Sequence, residues 1–217
     1  MQKTIALLKK ENELTIINEA LDIYLEIPHI AYLEVKKGEA GKALLFTKAI
    51  DSQNNREFSE PILMNVYGST KRTRLIFGRD IEGIASEIEN LMHMKPPKNM
   101  MDKFGMMNQL FNLKSVFPKR LKKKGACQEI IKTGDDIKLS DLPILTTWEE
   151  DGGPFITMGQ IYTTSLDGQM SNLGMYRIQI YDDNTVGLHW QIHKDSSHFF
   201  DQYKEAGIPM PVSIAIG

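Results

Sequence analysis

Thiols are nearly missing from this sequence, which contains one cysteine, Cys127, in 217 residues. A single thiol excludes an intramolecular disulfide framework and a metal site built from several thiolates, and it suits a protein of a reducing compartment. No general base neighbours Cys127 in the sequence, which favours a structural role for this thiol over a nucleophilic one.

The sequence also lacks an excess of charge of either sign and lacks a long apolar run. Its 26 basic and 28 acidic residues give a formal net charge of −2, which excludes a general attraction to nucleic acid or to an anionic membrane. No apolar stretch reaches the roughly 20 residues that a membrane-spanning helix needs. The N-terminal apolar patch is followed by Lys9 and Lys10 and fits no secretory cleavage region. We therefore expect a cytoplasmic protein without an integral membrane segment.

What the sequence does contain is 41% hydrophobic residues, enough for one large or two small cores. Apolar spacing predicts a short amphipathic helix near Ile5 to Leu8, and strands at 41–47 and 61–67. A helical repeat of apolar residues covers Ile81 to Met94, where Pro96 and the next proline end it. These signals predict a mixed α/β domain.

A basic run at 119–124 lies between Pro118 and Gly125. No aromatic residue interleaves it, which favours a solvated linker over a phosphate-binding patch. We place the domain boundary there, with an N-terminal α/β domain at 1–115 and a second domain at 116–217. Six methionines precede the run, and we interpret them as core or domain-packing residues before a soft interaction surface: Met92, Met94, Met100, Met101, Met106 and Met107.

Alternating residues in the second half predict three strands, at 155–163, 173–181 and 186–193, joined by short turns. Short connections make neighbouring antiparallel strands, so we expect a meander that forms a small barrel or half-barrel. A helix at 197–206 should follow, capped by Ser196 or Ser197. The final segment 211–217 has the pattern of a buried strand. Either this strand closes a sheet at the terminus or the chain is part of something longer.

Strand parity gathers unusual polar residues on one face of this sheet. The face would carry Arg177, Gln179, His189, Gln191 and His193, with Asn172 at the strand entrance. One interpretation is the solvated face of a half-buried sheet. The other is a functional site, because amides, imidazoles and a guanidinium are ligands and orienting groups.

The two histidines of this face are four residues apart, but they lie on a strand pattern and lack the glutamate of the zinc-protease motif. Zinc hydrolysis is therefore disfavoured. A cation held by His and Asn would be a harder metal such as Mn²⁺ or Mg²⁺, and it would require a carboxylate as well. The nearby acids Asp182 and Asp183 lie at the other end of the predicted strands, so the ligand set is incomplete.

The segments Asn172 to Arg177 and His189 to His193 resemble the UbiD family of prenylated-FMN-dependent decarboxylases, of the 4-hydroxybenzoate decarboxylase type. Supporting matches run along nearly the whole chain: 41–46, 61–68 with Arg72 and Gly78, 126–129, 142–143 with Trp148, 151–157 and 211–217. The resemblance implies an α+β protein whose second domain is a split β-barrel of the flavin-reductase-like, FMN-binding kind, incomplete at the C-terminus.

The resemblance also implies roles for individual residues. Asn172 and His193 would ligate the Mn²⁺ that ties the cofactor phosphate to the protein, with Mg²⁺ as the alternative and K⁺ as a further cation. Arg177 would be the catalytic residue that faces substrate and cofactor. Contacts to prenylated FMN would come from Met175, Tyr176, Arg177, His189, Trp190, Gln191, Lys194 and Asp195.

The implied reaction is the non-oxidative decarboxylation of an aromatic, phenolic or α,β-unsaturated acid. Loss of CO₂ leaves an unstable carbanion, so the flavin acts as electron sink. Arg177 stays protonated and cannot be the proton donor; a carboxylic acid must be. In the family that acid and the third metal ligand lie beyond the strand at 211–217, so we expect the N-terminal half of a decarboxylase.

Two other interpretations stay open. The chain is alternatively a non-catalytic subunit or remnant that binds flavin or a partner chain without turnover. A flavin reductase is less favoured, because Asn172 and His193 have no role in hydride transfer. The expected partners are a small aromatic acid and either further copies of the chain or a complementing C-terminal half, and not nucleic acid.

Overall fold

The computed structural model describes residues 1–93 and 122–216. The chain divides into two compact units, one formed by residues 1–76 and 137–217 and the other by residues 77–136. The boundary predicted at 115/116 lies outside the described residues, as do Lys119, Arg120 and the methionines from Met94 onward. The two-domain division therefore stays a prediction.

The first unit begins with a helix and a β–α–β arrangement. Helix α1 (Gln2–Lys10) buries Leu8 and confirms the predicted N-terminal helix. Strand β1 (Leu14–Asp22) pairs parallel with β2 (Ala43–Asp51), and helix α2 (Glu26–Val35) connects them, as parallel pairing requires. The sequence analysis missed β1 and α2.

Two short strands complete this sheet. Strands β3 (Arg56–Phe58) and β4 (Ile62–Met64) pair antiparallel with different stretches of β2. The predicted strands at 41–47 and 61–67 are thus present, with β2 longer and β4 shorter than expected. One face of the sheet and α2 enclose a buried core made of Ile27, Ala31, Leu44, Phe46 and Ala49.

Helix α3 (Thr70–Phe77) carries a fully buried arginine, Arg72. Its guanidinium donates from Nη1 to the carbonyl of Gly41 and to Glu13 Oε2 (3.2 Å), and from Nε to the carbonyl of Val66 (3.3 Å). A hydrogen bond from Lys71, joined by that from Arg72, holds the pKa of Glu13 below its ordinary value. This ion-pair network ties α3 to the start of β1.

The second unit contains helix α4 (Ile81–Met92), which confirms the helix predicted from residue 81. An ion pair between Arg79 and Glu87 (2.5 Å) spans its first turns. Cys127 lies exposed in a short 3₁₀ helix, Ala126–Gln128.

The remaining strands of the first unit form two antiparallel three-stranded sheets. One has the order β10–β6–β7, the other β5–β8–β9, and their bounds are β5 Phe155–Ile156, β6 Gln160–Thr164, β7 Ser171–Met175, β8 Ile178–Ile180, β9 Val186–Leu188 and β10 Ser213–Ala215. The antiparallel pairings β6–β7 and β8–β9 confirm part of the prediction, but they lie in two sheets and do not form one meander. The strands within the described ranges do not close into a barrel, and the split barrel stays a prediction.

Two of the predicted strands are each broken into two strands of different sheets. The chain changes sheet at residues 157–159 and again at Tyr176 and Arg177. Gly159 lies at the first crossover, where an added Cβ would stand 3.0 Å from Ile178 Cδ1. The crossovers wrap the chain around a second core of Ile156, Ile161, Tyr176 and Ile178.

The C-terminal segments differ from the predictions in detail. Strand β9 ends at Leu188, so strand parity does not apply to residues 189–193 as we had assumed. Helix α5 (Asp195–Ala206) begins two residues earlier than predicted and ends at Gly207, which has the left-handed conformation (φ 68°). Strand β10 pairs with β6 at a sheet edge and is exposed rather than buried, because no described element covers it.

Within the described residues, no helix combines the length and the apolar character that crossing a membrane would require.

Candidate functional site

The predicted site residues fall into separate local clusters. Asn172 contacts Asp195, Tyr176 contacts Trp190, and Arg177 contacts residues that were not predicted. The other predicted residues are exposed: Met175 on β7, and His189, Gln191, His193 and Lys194 between β9 and α5. The common strand face predicted for them is wrong at residues 189–193, because β9 ends at Leu188; their roles stay predictions.

Arg177 lies at the crossover between β7 and β8, and two side chains hold its guanidinium. Its Cζ is 3.7 Å from the centroid of the Phe155 ring, a cation–π contact. Nη2 forms an ion pair with Asp151. The Arg177 side chain is 52% exposed and that of Asp151 is 19% exposed. The arginine is therefore fixed in direction and still open to a ligand.

A surface cavity of about 520 Å³ lies beside this arginine. Its lining consists of Thr147, Trp148, Glu150, Asp151, Thr157 and Arg177. Trp148 packs edge-to-face on Tyr32, with ring centroids 5.9 Å apart. Backbone hydrogen bonds join Thr146 to Ile23 (3.2 Å) and to Leu25 (3.0 Å) and fix the start of this wall to the end of β1. The lining combines the Arg177 cation and the Trp148 ring with two carboxylates, Glu150 and Asp151. Only the guanidinium edge that Asp151 does not occupy could bind a small anionic ligand with an apolar body.

The loop that supplies Asp151 is tied to β8. Gln179 Nε2 donates to the carbonyl of Gly152 at 2.6 Å. An added Cβ on Gly152 would stand 2.4 Å from the same Nε2, so the Gln179 side chain would have to move to admit a larger residue. Gln179 lies opposite Phe155 in the β5–β8 pair. One strand pair thus positions both groups that hold Arg177.

Asp151, Phe155 and Thr157 were not among the predicted site residues. The segment 151–157 was part of the resemblance, but nothing in its residue pattern indicated a contact with Arg177, 26 residues away from Asp151. The signal available was the pair of glycines after Asp151, which permits the close approach of loop and strand.

Asn172 is held on β7 by two polar side chains. Its Nδ2 is 3.2 Å from Asp195 Oδ2, and its Oδ1 is 3.1 Å from Ser196 Oγ. Ser196 Oγ is in turn 2.9 Å from Thr163 Oγ1. Tyr176 and Trp190 form a second, aromatic contact, edge-to-face at 4.9 Å.

The donor types near Asn172 fit a hard divalent cation, but they are few. An amide oxygen and the Asp195 carboxylate are oxygen ligands that Mn²⁺ and Mg²⁺ accept. Across residues 1–93 and 122–216, no three His, Cys, Asp or Glu side chains stand together to hold a metal ion. The described residues therefore supply part of a ligand set.

Comparison with known families identifies the family to which the chain belongs. Residues 5–92 match the family model described as 3-octaprenyl-4-hydroxybenzoate carboxy-lyase N-terminal domain. Residues 119–217 match the model described as the Rift-related domain of the same carboxy-lyase. The chain belongs to the UbiD family. The resemblance stated from the sequence is confirmed.

Relatives of this UbiD-family chain are longer than the chain itself. An uncharacterized protein of Helicobacter pylori is 48% identical over 219 residues, which cover 100% of this chain and 35% of that protein. The chain thus spans about a third of the length of this curated relative.

Solved UbiD-class structures share the fold at low sequence identity. The closed form of the vanillic acid decarboxylase of Sedimentibacter hydroxybenzoicus superposes with a TM-score of 0.77 at 23% identity, over 100% of this chain and 42% of that one. HmfF of Pelotomaculum thermopropionicum in complex with FMN gives 0.74 at 20% identity, over 100% and 42%. Its evolved dimeric form in complex with prFMN gives 0.73 at 19% identity, over 100% and 44%.

Proposed function

We propose that this UbiD-family chain is the N-terminal part of a prenylated-FMN-dependent carboxy-lyase that decarboxylates an aromatic, phenolic or α,β-unsaturated acid. Membership of the family supports the reaction class. The chemistry of the arginine-bearing cavity supports the substrate class. A cytoplasmic location and assembly, either with further copies or with a complementing C-terminal half, belong to the same proposal.

The observation that carries the proposal is the position of Arg177. Its guanidinium is anchored by Asp151 and Phe155 and forms part of the cavity wall near Trp148. A guanidinium can accept carboxylates at more than one edge. Asp151 occupies Nη2, so the other nitrogens are the groups that would bind the substrate carboxylate. Arg177 orients the acid and does not transfer a proton, because it stays protonated.

The cofactor would be held by the residues that the family pattern assigns. We assign flavin contacts to Arg177 and to Met175, Tyr176, His189, Trp190, Gln191, Lys194 and Asp195. Asn172 and His193 would bind the Mn²⁺ that bridges to the cofactor phosphate, with Mg²⁺ as the alternative and K⁺ as a second cation. When bound, the prenylated flavin supplies the electron sink that decarboxylation needs.

A second candidate function is a subunit or remnant that binds flavin or a partner chain without turnover. The partial ligand set near Asn172 favours it, since no three acidic, histidine or cysteine side chains in the described part of the chain form a metal site. The two functions differ in one measurable property, the release of CO₂.

The test uses the chain with prenylated FMN and Mn²⁺, alone and as part of the complete protein. Arg177→Ala should abolish CO₂ release from the complete protein while its unfolding midpoint changes little. Arg79→Ala is the matched control, because Arg79 is also an exposed, ion-paired arginine (58% exposed), and it should retain turnover.

Turnover by the Arg177→Ala protein would refute the assignment. Flavin binding without CO₂ release by the chain and by the complete protein would favour the non-catalytic subunit.

A further inference from the structure

Every donor in the hydrogen-bond chain around Asn172 can be assigned from chemistry. The ionised Asp195 carboxylate only accepts hydrogen bonds, so the Asn172 atom facing it at 3.2 Å is the amide nitrogen Nδ2. The amide oxygen Oδ1 therefore faces Ser196 Oγ at 3.1 Å. Because a carbonyl oxygen only accepts, the Ser196 hydroxyl donates this bond.

The direction of the hydrogen bond between Thr163 and Ser196 then follows as well. Ser196 has a single hydroxyl hydrogen, and Asn172 receives it. In the 2.9 Å contact between Thr163 Oγ1 and Ser196 Oγ, Thr163 must therefore be the donor. Thr163 is 1% exposed and Ser196 is 0% exposed, so water cannot replace either hydroxyl.

Three elements meet in this hydrogen-bond chain. Thr163 on β6 lies directly opposite Asn172 on β7. Ser196 comes from the first turn of α5. The residue that precedes α5 is Lys194, and it makes no side-chain cap bond. The Ser196 hydroxyl is directed to Asn172, so the side chain bridges helix and sheet.

We propose that Ser196 and Thr163 are positioning residues that fix the Asn172 amide for cation binding. The inference rests on the proposed function, in which Asn172 is a metal ligand. Oδ1 has two lone pairs, and Ser196 uses one of them, so the other stays available to a hard divalent cation. Without the serine, the amide loses the bond that holds its oxygen in place.

The experiment titrates the complete protein, which would also carry the remaining metal ligand, with Mn²⁺ alone and follows free Mn²⁺ by electron paramagnetic resonance. The variants are Ser196→Ala and Thr163→Val, which remove each hydroxyl with little change of volume. Ser165→Ala is the matched control. Ser165 is also 1% exposed, but its hydroxyl bonds to Asp167 Oδ1 (2.6 Å) and not to Asn172. Metal-free samples give the side-chain amide resonances of Asn172 by NMR.

We expect Ser196→Ala to weaken Mn²⁺ binding by about 10- to 100-fold, the usual effect of losing a group that orients a ligand, and to shift the Asn172 amide resonances. Thr163→Val should act in the same direction and less strongly. Ser165→Ala should change neither quantity, even where it lowers the unfolding temperature.

Wild-type Mn²⁺ affinity in the complete Ser196→Ala protein, or unchanged Asn172 resonances, would overturn the inference. A complete wild-type protein that binds no Mn²⁺ would refute the metal role of Asn172 in the proposed function, and the resonances alone would then decide the amide orientation.

Discussion

Arg72, beside the N-terminal sheet, has a side chain that is 0% exposed, whereas Arg177, between the two C-terminal sheets, has one that is 52% exposed. Both form an ion pair with a carboxylate. Arg72 donates from Nη1 and Nε to Glu13 and to two backbone carbonyls, and its buried Nη2 has no hydrogen-bond partner among the described residues. Arg177 has a carboxylate on one nitrogen and an aromatic ring against its face.

The difference separates a structural arginine from one that can bind a ligand. Burying a guanidinium is costly unless its partners are in place, so Arg72 can only be kept where it holds the fold together. Arg177 keeps its hydration on the exposed side, and a ligand carboxylate can displace that water. Burial, and not the presence of an ion pair, distinguishes the two roles.

The variant Arg72→Met gives the strongest test of this difference between the two arginines. The change leaves the carbonyls of Gly41 and Val66 without their donor, and each buried polar group left without a partner typically costs about 1–3 kcal/mol. Urea unfolding of the chain should show a loss of that size. Arg177→Met is the control and should cost below about 1 kcal/mol. Equal losses of unfolding free energy for both variants would show that burial does not distinguish the roles of the two arginines.

A smaller, pH-dependent effect should come from Glu13. Hydrogen bonds from Lys71 and Arg72 hold its pKa below the ordinary value of 4.5. Its contribution to stability is therefore complete above that value and is lost as the pH falls through the lower pKa of the folded state. We expect the stability difference between wild type and Glu13→Gln to be constant at neutral pH and to shrink in acid.

Unfolding curves recorded between about pH 7 and pH 3 measure this difference. Subtracting one protein from the other cancels the carboxylates that both retain, such as Asp22, whose pKa is also lowered. A difference that grows in acid would contradict the network described for Glu13.

The smallest effect on stability should come from Asp151→Asn. The Arg177 ion pair is partly exposed, and such pairs contribute about 0–1 kcal/mol. The variant should unfold within about 1 kcal/mol of wild type, while the Arg177 side-chain resonances broaden or move in NMR spectra because the guanidinium loses its anchor. Unchanged Arg177 resonances would mean that the Phe155 ring alone fixes the arginine.

Local patterns in the sequence predicted the pairings that depend on neighbouring residues. The strand pair of β8 and β9 follows from alternating apolar residues around a tight turn, and Ile178 does lie opposite Leu188. The breaks at residues 157–159 and at Tyr176 could not be predicted from alternating apolar residues. The packing of the two sheets decides where the chain crosses between them, and that packing depends on residues far apart in the chain.

The candidate site was predicted less completely than the fold. Family motifs pointed to Arg177 and Asn172, but their partners Asp151 and Ser196 are 26 and 24 residues away in the chain. Contacts over such distances depend on strand register and on where α5 begins. The burial of Arg72 likewise could not be predicted from the sequence, because an arginine in a helix is ordinarily a surface residue.

The direction of the Ser196 hydroxyl also limits how position 196 can change during evolution. A residue that only stabilises the start of a helix is interchangeable among Ser, Thr, Asp and Asn. Position 196 needs a small donor, because the oxygen that it contacts can only accept. Aspartate there would set a carboxylate against the amide oxygen of Asn172. Serine should therefore persist among close relatives, while exposed helix positions such as His198 and Asp201 are free of this constraint.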